Sequence, residues 1–564
     1  MTKEKAGGYI SKIVFNNEES IDIRCDDIII FVGPNNAGKS QSLKDIYNLS
    51  KSKETVQDIV ISNIIITKSN ASVSDILDKI SVGILKGPYK EYNILGQIVD
   101  FWNNSNERFQ EEPYFGGFRN LFVANLNTEA RLNICKPPDN IQRNSPKLHP
   151  IHYAAFDSKY RKWLSKNFKK AFGVEVTPNT QYGAKIPLCI GAPIKLQKEF
   201  EDEQSRLEAY AEKLETYKQV QNQGDGIKSF TGILLYLMLD YFCIYLIDEP
   251  ESFLHPPQAR IMGQIIGETL SNQQQAFIST HSEDIIMGLL EVCPERIKLI
   301  RITREDDTNF FSVLDNTQFS KVWKDPLLKY SKIMSSLFHK SVILCESDSD
   351  CKMYSIIENY LKQANGIFSE TLFIHCGGKH RMAKISTALR SLNINIKLIP
   401  DIDVLDDEKV FKSIVEAFGI NWSSVEKDYH IIVSNLHSSK ENVIRSKAKS
   451  DINSILDKSK NEFLLNKEQK EIREVIHTIS KWDQLKKVGI TIIPSGDATR
   501  AFERLDKTLK DNDIYLVSVG ELENFIKEVS GHGPEWVNKV LEDYSDLNDK
   551  VYDKIKEFIA ELNL

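Results

Sequence analysis

An eight-residue loop constrains this chain more than any other stretch. Gly33-Pro34-Asn35-Asn36-Ala37-Gly38-Lys39-Ser40 fits the spacing GxxxxGK[ST], follows the apolar run Ile28 to Val32 and precedes the helical Ser42-Leu43-Lys44-Asp45-Ile46. Strand, glycine-rich turn and helix in that order wrap backbone N–H groups around phosphate. Lys39 then reaches the β- and γ-oxygens, and Ser40 can ligate Mg²⁺. Gly33, Asn35, Asn36, Ala37, Gly38, Lys39, Ser40 and Gln41 are the expected nucleotide-binding residues, and the order of elements calls for an α/β fold.

A second stretch answers the first. Tyr245 to Pro256, YLIDEPESFLHP, is an apolar run ending in Asp248 and Glu249. It reads as a buried strand that brings both acids to the carboxyl edge of a parallel sheet. An ionised carboxylate left unpaired there costs roughly several kcal/mol, so a cation is expected nearby. Asp248 is expected to bind Mg²⁺ with Ser40, and Glu249 to orient or deprotonate an attacking water. Ala276 to Ser282 is another apolar run, stopping at His281. His281 is expected at the γ-phosphate as a polar switch, although a histidine in that place also serves structure alone. Gly224-Asp225-Gly226-Ile227-Lys228-Ser229 precedes the helical run Thr231 to Leu239 and reads as a turn presenting amides to an anion.

These four pieces together resemble the ABC-type ATPases of the OLD (overcoming lysogenization defect) group. The resemblance implies ATP as cofactor and association through the ATPase heads as a homodimer or larger homo-oligomer. Gly226 and Ser229 would then meet, in trans, the nucleotide held by another subunit. The usual LSGGQ spelling is absent, and Asn125 to Glu129 offers only a weak counterpart to a Q-loop.

The remainder of the first half is less informative. Residues 8 to 32 alternate as two or three strands before the loop, whereas 52 to 190 is mixed and suggests no function. Residues 194 to 220 read as a helix with a seam of Phe200, Leu207 and Leu214, with Tyr210 and Tyr217 beside it. That helix is either an arm toward a partner chain or one packed on its own domain.

A second set of acids follows. Ser341 to Cys345 is an apolar run ending in Glu346, Asp348 and Asp350, and Ile394 to Pro400 is another ending in Asp401 and Asp403. With Thr371 to His375 between them, the runs describe a small parallel α/β unit whose acids gather at one edge. Such clusters persist where Mg²⁺ or Mn²⁺ takes oxygen ligands. Glu346, Asp350, Asp401 and Asp403 resemble the acids of a TOPRIM domain, the phosphotransfer fold of topoisomerases, primases and OLD nucleases. Ser347 stands where a glycine is usual. The resemblance adds Glu523 as a further metal ligand, after the apolar Ile514 to Val519, with Glu521 in reserve. Gly377-Gly378-Lys379 is either a phosphate contact or a structural turn, and Arg381, Lys384 and Arg390 lie on one expected helix that could follow a nucleic-acid backbone.

The expected architecture is α/β throughout. An ABC-type P-loop ATPase domain occupies 1–335, with an insertion at about 52–222 and the helical arm at 194–220. A TOPRIM parallel-sheet nuclease domain covers 336–530, with a helical insertion at about 408–488, and a helical tail covers 531–564. Composition agrees with a globular chain: 41% hydrophobic, 27% charged, net charge -7 and eight cysteines without a CxxC pair. The charge argues against a uniformly basic coat but leaves room for a local basic groove. MTKEKAGGYISK has no apolar core of a leader, and Asp240 interrupts the only membrane-like run, Ile233 to Ile247. A cytoplasmic protein with no membrane partner is expected.

A metal cluster without a tyrosine-bearing DNA-bending module or a Cys/His zinc element favours hydrolysis over strand passage or priming. The resemblance therefore implies an ATP-binding, metal-dependent endonuclease acting on DNA in anti-phage defence, with a retron reverse transcriptase among possible partners. RNA or tRNA cleavage, and a nucleotide-switched scaffold acting with a partner chain, stay open. The lack of long coiled-coil arms weighs against an SMC-like clamp.

Overall fold

The computed structural model describes residues 7–53, 60–194, 202–305, 308–314, 332–437, 445–458, 461, 463–476 and 481–562. The chain divides into two compact units, 1–321 and 322–564. Phe200, and residues 306–307 and 315–331 of the last strands and connector expected between about 294 and 335, lie outside the described residues.

The first unit begins with three strands, β1 (Gly8–Phe15), β2 (Ser20–Asp22) and β3 (Ile28–Val32), and β4 (Ile61–Lys68) joins β1 and β2 in an antiparallel sheet. The uninformative stretch after it folds into an antiparallel meander of β5 (Ile84–Lys86), β6 (Tyr89–Ile94) and β7 (Gln97–Trp102). Next come β8 (Val123–Leu126) and a small sheet of β9 (Val176–Pro178), β10 (Leu188–Ile190) and β11 (Lys218–Gln219). Strands β12 (Ile244–Asp248), β13 (Gln275–Ser279), β14 (Ile297–Glu305) and β15 (Thr308–Leu314) complete the main sheet, ordered β15-β14-β3-β13-β12-β8. All its pairings are parallel except β14 with β15. All five residues of β3 and of β13 are buried, and the unbroken apolar spelling of β3 is what a strand covered on both faces requires. The acid-tipped β12 stands one strand away from β3, with β13 between them.

Of the expected helix over 194–220, residues 195–201 lie outside the described residues, and the helix that is described stops short of 220. It spans Glu203–Glu215 and gives way to β11. Leu214 is fully buried, and the Tyr217 hydroxyl donates to the Ala192 carbonyl, so the end of this helix is anchored in its own unit.

The second unit has a parallel sheet of β16 (Ser341–Cys345), β17 (Thr371–His375) and β18 (Ile396–Ile399), ordered β17-β16-β18. Helices Asp348–Ala364 and Lys379–Ser391 connect these strands. The expected strand over Ile514 to Val519 is an extended segment that extends the sheet beyond β18. Parallel bridges join Leu398 to Ile514 and Asp401 to Val517. Residues 531–564 are more than a tail. Trp536, Val537, Val540, Tyr552, Ile555, Phe558, Ile559 and Leu562 share one core with Ile343, Tyr354, Ile357 and Val517. Each such side chain contributes roughly 1.5–3 kcal/mol by burial.

The rest of this unit is largely helical, including Glu408–Ala417, Trp422–His437 and Asp497–Lys510. No helix among the described residues is long and apolar enough to cross a membrane. Seven of the eight cysteines are buried and all are free thiols; Cys25 is exposed.

Candidate functional site

The glycine loop lies between β3 and the helix Lys39–Leu49. Gly33 has φ 144°, and a Cβ on it would stand 2.0 Å from the Ile302 carbonyl oxygen, so only glycine lets the loop lie this close to β14. Asn309 of β15 donates its amide to the Ala37 carbonyl at 2.8 Å and fixes the loop from the other side. The helix carries no side-chain cap, which leaves its first N–H groups open to an anion. Lys39 is buried, and its Nζ donates to the loop's own carbonyls, Gly33 at 2.9 Å and Pro34 at 2.6 Å. Burial pulls its pKa down to about 8, while Glu249, Glu251 and Asp248 pull the other way. Asn35 and Asn36 are exposed, and Asn36 has φ 59°. Gln41 gives its amide to Asp45 at 2.7 Å.

The acids of β12 meet this loop. Asp248 Oδ1 accepts from Ser40 Oγ at 2.7 Å and from the Ser279 hydroxyl, tying the loop, β12 and β13 together. Glu249 follows in a left-handed conformation, φ 46°, and its N–H donates to the Ser279 carbonyl at 2.9 Å. Its Oε1 lies 3.9 Å from His281 Nε2. Burial first, then Lys39, lowers the His281 pKa against the pull of Glu249 and Asp248, which favours a neutral imidazole.

Glu251, not singled out in the sequence, accepts from the His281 N–H at 2.7 Å and from Thr280 Oγ1 at 2.9 Å. Burial raises its pKa. Arg131 is fully buried behind the same edge and donates to the Glu249 carbonyl at 3.0 Å.

The Gly224–Ser229 phrase differs from expectation. Its helix starts at Asp225, so Gly226 and Ser229 are helical, and Ser229 is fully buried. A Cβ on Gly226 would fall 2.5 Å from the Phe253 carbonyl oxygen, so that glycine serves close packing. Gly224, Asp225 and Lys228 are the residues of this turn that keep exposed or half-exposed surface along with Gly226 and Ile227. Asn125 lies in β8, parallel to β12.

In the second unit, Glu346, Asp401 and Asp403 come together, with one oxygen of each within 4.8 Å of the others. Glu346 follows β16, and Asp401 and Asp403 follow β18, its neighbour in the sheet. Glu346 Oε2 and Asp403 Oδ1 are buried without a hydrogen-bond partner among the described residues. Burial, then Asp350, Glu346 and Asp403, raises the Asp401 pKa well above the usual carboxylate range; burial, then Asp403, raises that of Glu346. Two lysines partly compensate. Lys379 Nζ lies 3.4 Å from Asp403 Oδ2, and Lys486 Nζ lies 3.7 Å from Asp403 Oδ2 and 3.7 Å from Glu521 Oε2. Orphaned buried carboxylate oxygens in an all-oxygen donor set fit a hard divalent cation.

Asp350 is placed differently from the three. It forms a capping box with Ser347, its Oδ2 accepting from the Ser347 N–H at 2.8 Å. Ser347, at φ -122°, is extended N-cap backbone and needs no glycine. The amides of Gly377 and Gly378 both donate to the Glu346 carbonyl at 3.1 Å, so they hold the acid-bearing turn and are not open to phosphate. Glu523 Oε1 accepts from the Gly533 N–H at 2.7 Å and lies 2.8 Å from His532 Nδ1, and with Glu521 these side chains form a second cluster within 4.8 Å. His532 and Lys486 gave no motif signal, because each lies outside the strand-end phrases.

Residues 125–286 match the family described as AAA ATPase domain. The first unit therefore contains an ATP-binding domain of the AAA ATPase type. None of the curated proteins matches the chain. Among solved structures, an SMC head bound to the C-terminal winged-helix domain of ScpA is similar at 15% identity and TM-score 0.31, covering 56% of this chain and 99% of that one. The SMC head with an extended coiled coil bound to the C-terminal domain of ScpA from Pyrococcus furiosus shows 13% identity and TM-score 0.30, with 56% and 99% covered. The SMC head domain from Thermotoga maritima shows 13% identity and TM-score 0.27, with 55% and 97% covered.

Proposed function

We propose that this chain is an ATP-hydrolysing, divalent-metal-dependent endonuclease of the OLD type, its second unit a TOPRIM domain, that cuts or nicks DNA in prokaryotic anti-phage defence. The observation that carries this reading is the pair of buried, unpartnered oxygens of Glu346 and Asp403 beside Asp401. Left without a cation, each such oxygen costs roughly 1–3 kcal/mol or more.

In the first unit, the open N–H groups of the Lys39–Leu49 helix receive phosphate, and Lys39 leaves the loop carbonyls to follow it. Ser40 and Asp248 stand ready for Mg²⁺, and Glu249, backed by Arg131 and faced by His281, orients the water. Asp225 and Lys228, at the start of the Asp225–Leu237 helix, are the residues placed to meet a second subunit's nucleotide when two heads close.

In the second unit, bound divalent cations supply an activated water and charge stabilisation at a leaving 3′ oxygen. Glu346, Asp401 and Asp403 hold them, with Glu523 and Glu521 toward a second position. Lys379 and Lys486 offset the repulsion among the carboxylates until then and offer cationic contacts to the phosphodiester. Closure of ATPase heads controls access to this site, and a retron reverse transcriptase with its nucleic acid is a fitting partner.

The test is a digest of circular DNA with Mg²⁺ or Mn²⁺, with and without ATP, beside single-stranded DNA and total RNA. Metal-dependent nicking lost in Asp401→Ala and Asp403→Ala, with ATP binding kept, supports the reading. Cutting confined to RNA moves the substrate class. Cutting retained in both variants removes the nuclease assignment.

A further inference from the structure

Arg131 is the largest charged side chain that the site's chemistry leaves unexplained. It lies on the helix Thr128–Asn133, just after β8, and none of it reaches solvent. Its Nη1 donates to the Glu249 carbonyl at 3.0 Å and its Nη2 to Thr128 Oγ1 at 3.1 Å, while Nε has no partner among the described residues. Asp248, Glu251 and Glu249 are its electrostatic counterparts. Lys39 and His281 are the other charged or titratable groups facing Glu249.

A buried guanidinium with an idle N–H is expensive, and packing alone would be served by a leucine or methionine. What it holds is an unusual piece of backbone. Glu249 has a left-handed φ of 46°, a region that L-residues other than asparagine and aspartate seldom occupy. Its carbonyl is gripped twice, by Arg131 Nη1 and by the Ser252 N–H at 2.9 Å.

The backbone of the same residue faces the other way. A Cβ on Gly232 would fall 2.2 Å from the Arg131 carbonyl oxygen, so the helices Thr128–Asn133 and Asp225–Leu237 touch at that point. One turn on, Cys135 Sγ donates to the Lys228 carbonyl at 3.1 Å. One short helix thus grips the Glu249 turn through a side chain and the Asp225–Leu237 helix through its main chain.

We propose that Arg131 is a positioning residue: it holds the Glu249 turn in its left-handed conformation and couples that turn to the Asp225–Leu237 helix. The inference rests on the reading of Glu249 as the group that orients water for ATP hydrolysis. A shift of the Asp225–Leu237 helix when heads close is passed through Arg131 to the Glu249 carboxylate.

Full-length wild type, Arg131→Met, Arg131→Lys, Thr128→Val and Glu249→Gln are compared by steady-state ATP hydrolysis and by titration with a fluorescent ATP analogue. Arg131→Met is expected to lower kcat at least tenfold with KM and analogue affinity within threefold of wild type. Arg131→Lys keeps a cation that can reach the carbonyl and is expected to recover part of the lost kcat. Thr128→Val frees one arm of the guanidinium and is expected to lower kcat a fewfold; it decides the question if the methionine variant does not fold.

A methionine variant with full kcat overturns the inference. So does a loss of affinity equal to the loss of kcat, or a lysine variant no better than methionine. Turnover surviving in Glu249→Gln strikes at the reading of Glu249 itself. Turnover lost there but kept in Arg131→Met strikes only at the role given to Arg131.

Discussion

The two carboxylate edges are built alike and finished differently. Each gathers acids at the carboxyl edge of a parallel sheet, Asp248 as the last residue of β12, and Glu346 and Asp401 after the neighbouring strands β16 and β18. At the ATPase edge the acids are bonded within the protein. Asp248 accepts from two hydroxyls, Glu251 from a main-chain amide and a threonine, and Lys39 and Arg131 bring charge of the opposite sign. At the second edge Glu346 and Asp403 keep buried oxygens that nothing among the described residues satisfies. The first edge is stable while it waits for a ligand, whereas the second carries an unmet electrostatic demand. Dependence on a cation should therefore be sharper in the second unit.

The largest effects test that contrast directly. Asp403→Ala should lower metal-dependent DNA nicking about a thousandfold, the scale of roughly 4 kcal/mol of lost charge stabilisation, with ATP hydrolysis unchanged. Glu249→Gln should lower ATP turnover about a hundredfold or more with nucleotide affinity kept, as loss of a general base does. Equal damage to both activities by either change would erase the distinction between the edges.

A smaller effect concerns stability. The raised pKa values of Asp401 and Glu346 mean that the folded state holds protons more tightly than the unfolded chain. Their contribution to stability therefore falls as pH rises from the unfolded carboxylate range through the raised folded values. Saturating Mn²⁺ should reverse this at neutral pH, adding about 2.7 kcal/mol at a hundredfold excess over Kd. Thermal melts of wild type and Asp401→Asn read it: the variant should melt higher without metal and respond less to it.

The smallest effect is at Lys39. With its pKa lowered to about 8, the free lysine loses its proton as pH rises through that value, while bound phosphate holds it charged. ATP affinity should fall by up to about tenfold per pH unit above that point, with proton uptake on binding. Titration calorimetry in buffers of different ionisation enthalpy measures both.

Much of this layout was legible in the residues. Apolar runs ending in acids gave β12, β16 and β18 because a strand buried on both faces must be apolar until it reaches the edge. The loop from Gly33 to Ser40 was legible because backbone geometry there leaves so few residue choices. Asp350 does stand near enough to Asp401 and Glu346 to raise their pKa values, but Ser347-x-x-Asp350 also spells a capping box, and one of its oxygens is taken by that local hydrogen bond. The start of the helix at Asp225 was missed because Gly226 reads as a breaker, whereas here it permits contact with Phe253. Arg131, Lys486 and His532 were not legible at all. Arg131 and Lys486 act across a long sequence separation, and His532 from a turn nearby, each with a local spelling that suggests ordinary solvent exposure.

Trp536 and the helix Asp553–Glu561 carry a practical consequence for anyone dividing this chain. Because they fill the same interior as the strand that leads to Glu346, a fragment stopping near Gly531 would lose its packing before it lost a single acid. Protease nicking in the final helices should therefore abolish any activity of the second unit while leaving every candidate ligand in place. An inactive short fragment would speak about a missing wall, and not about the chemistry inside it.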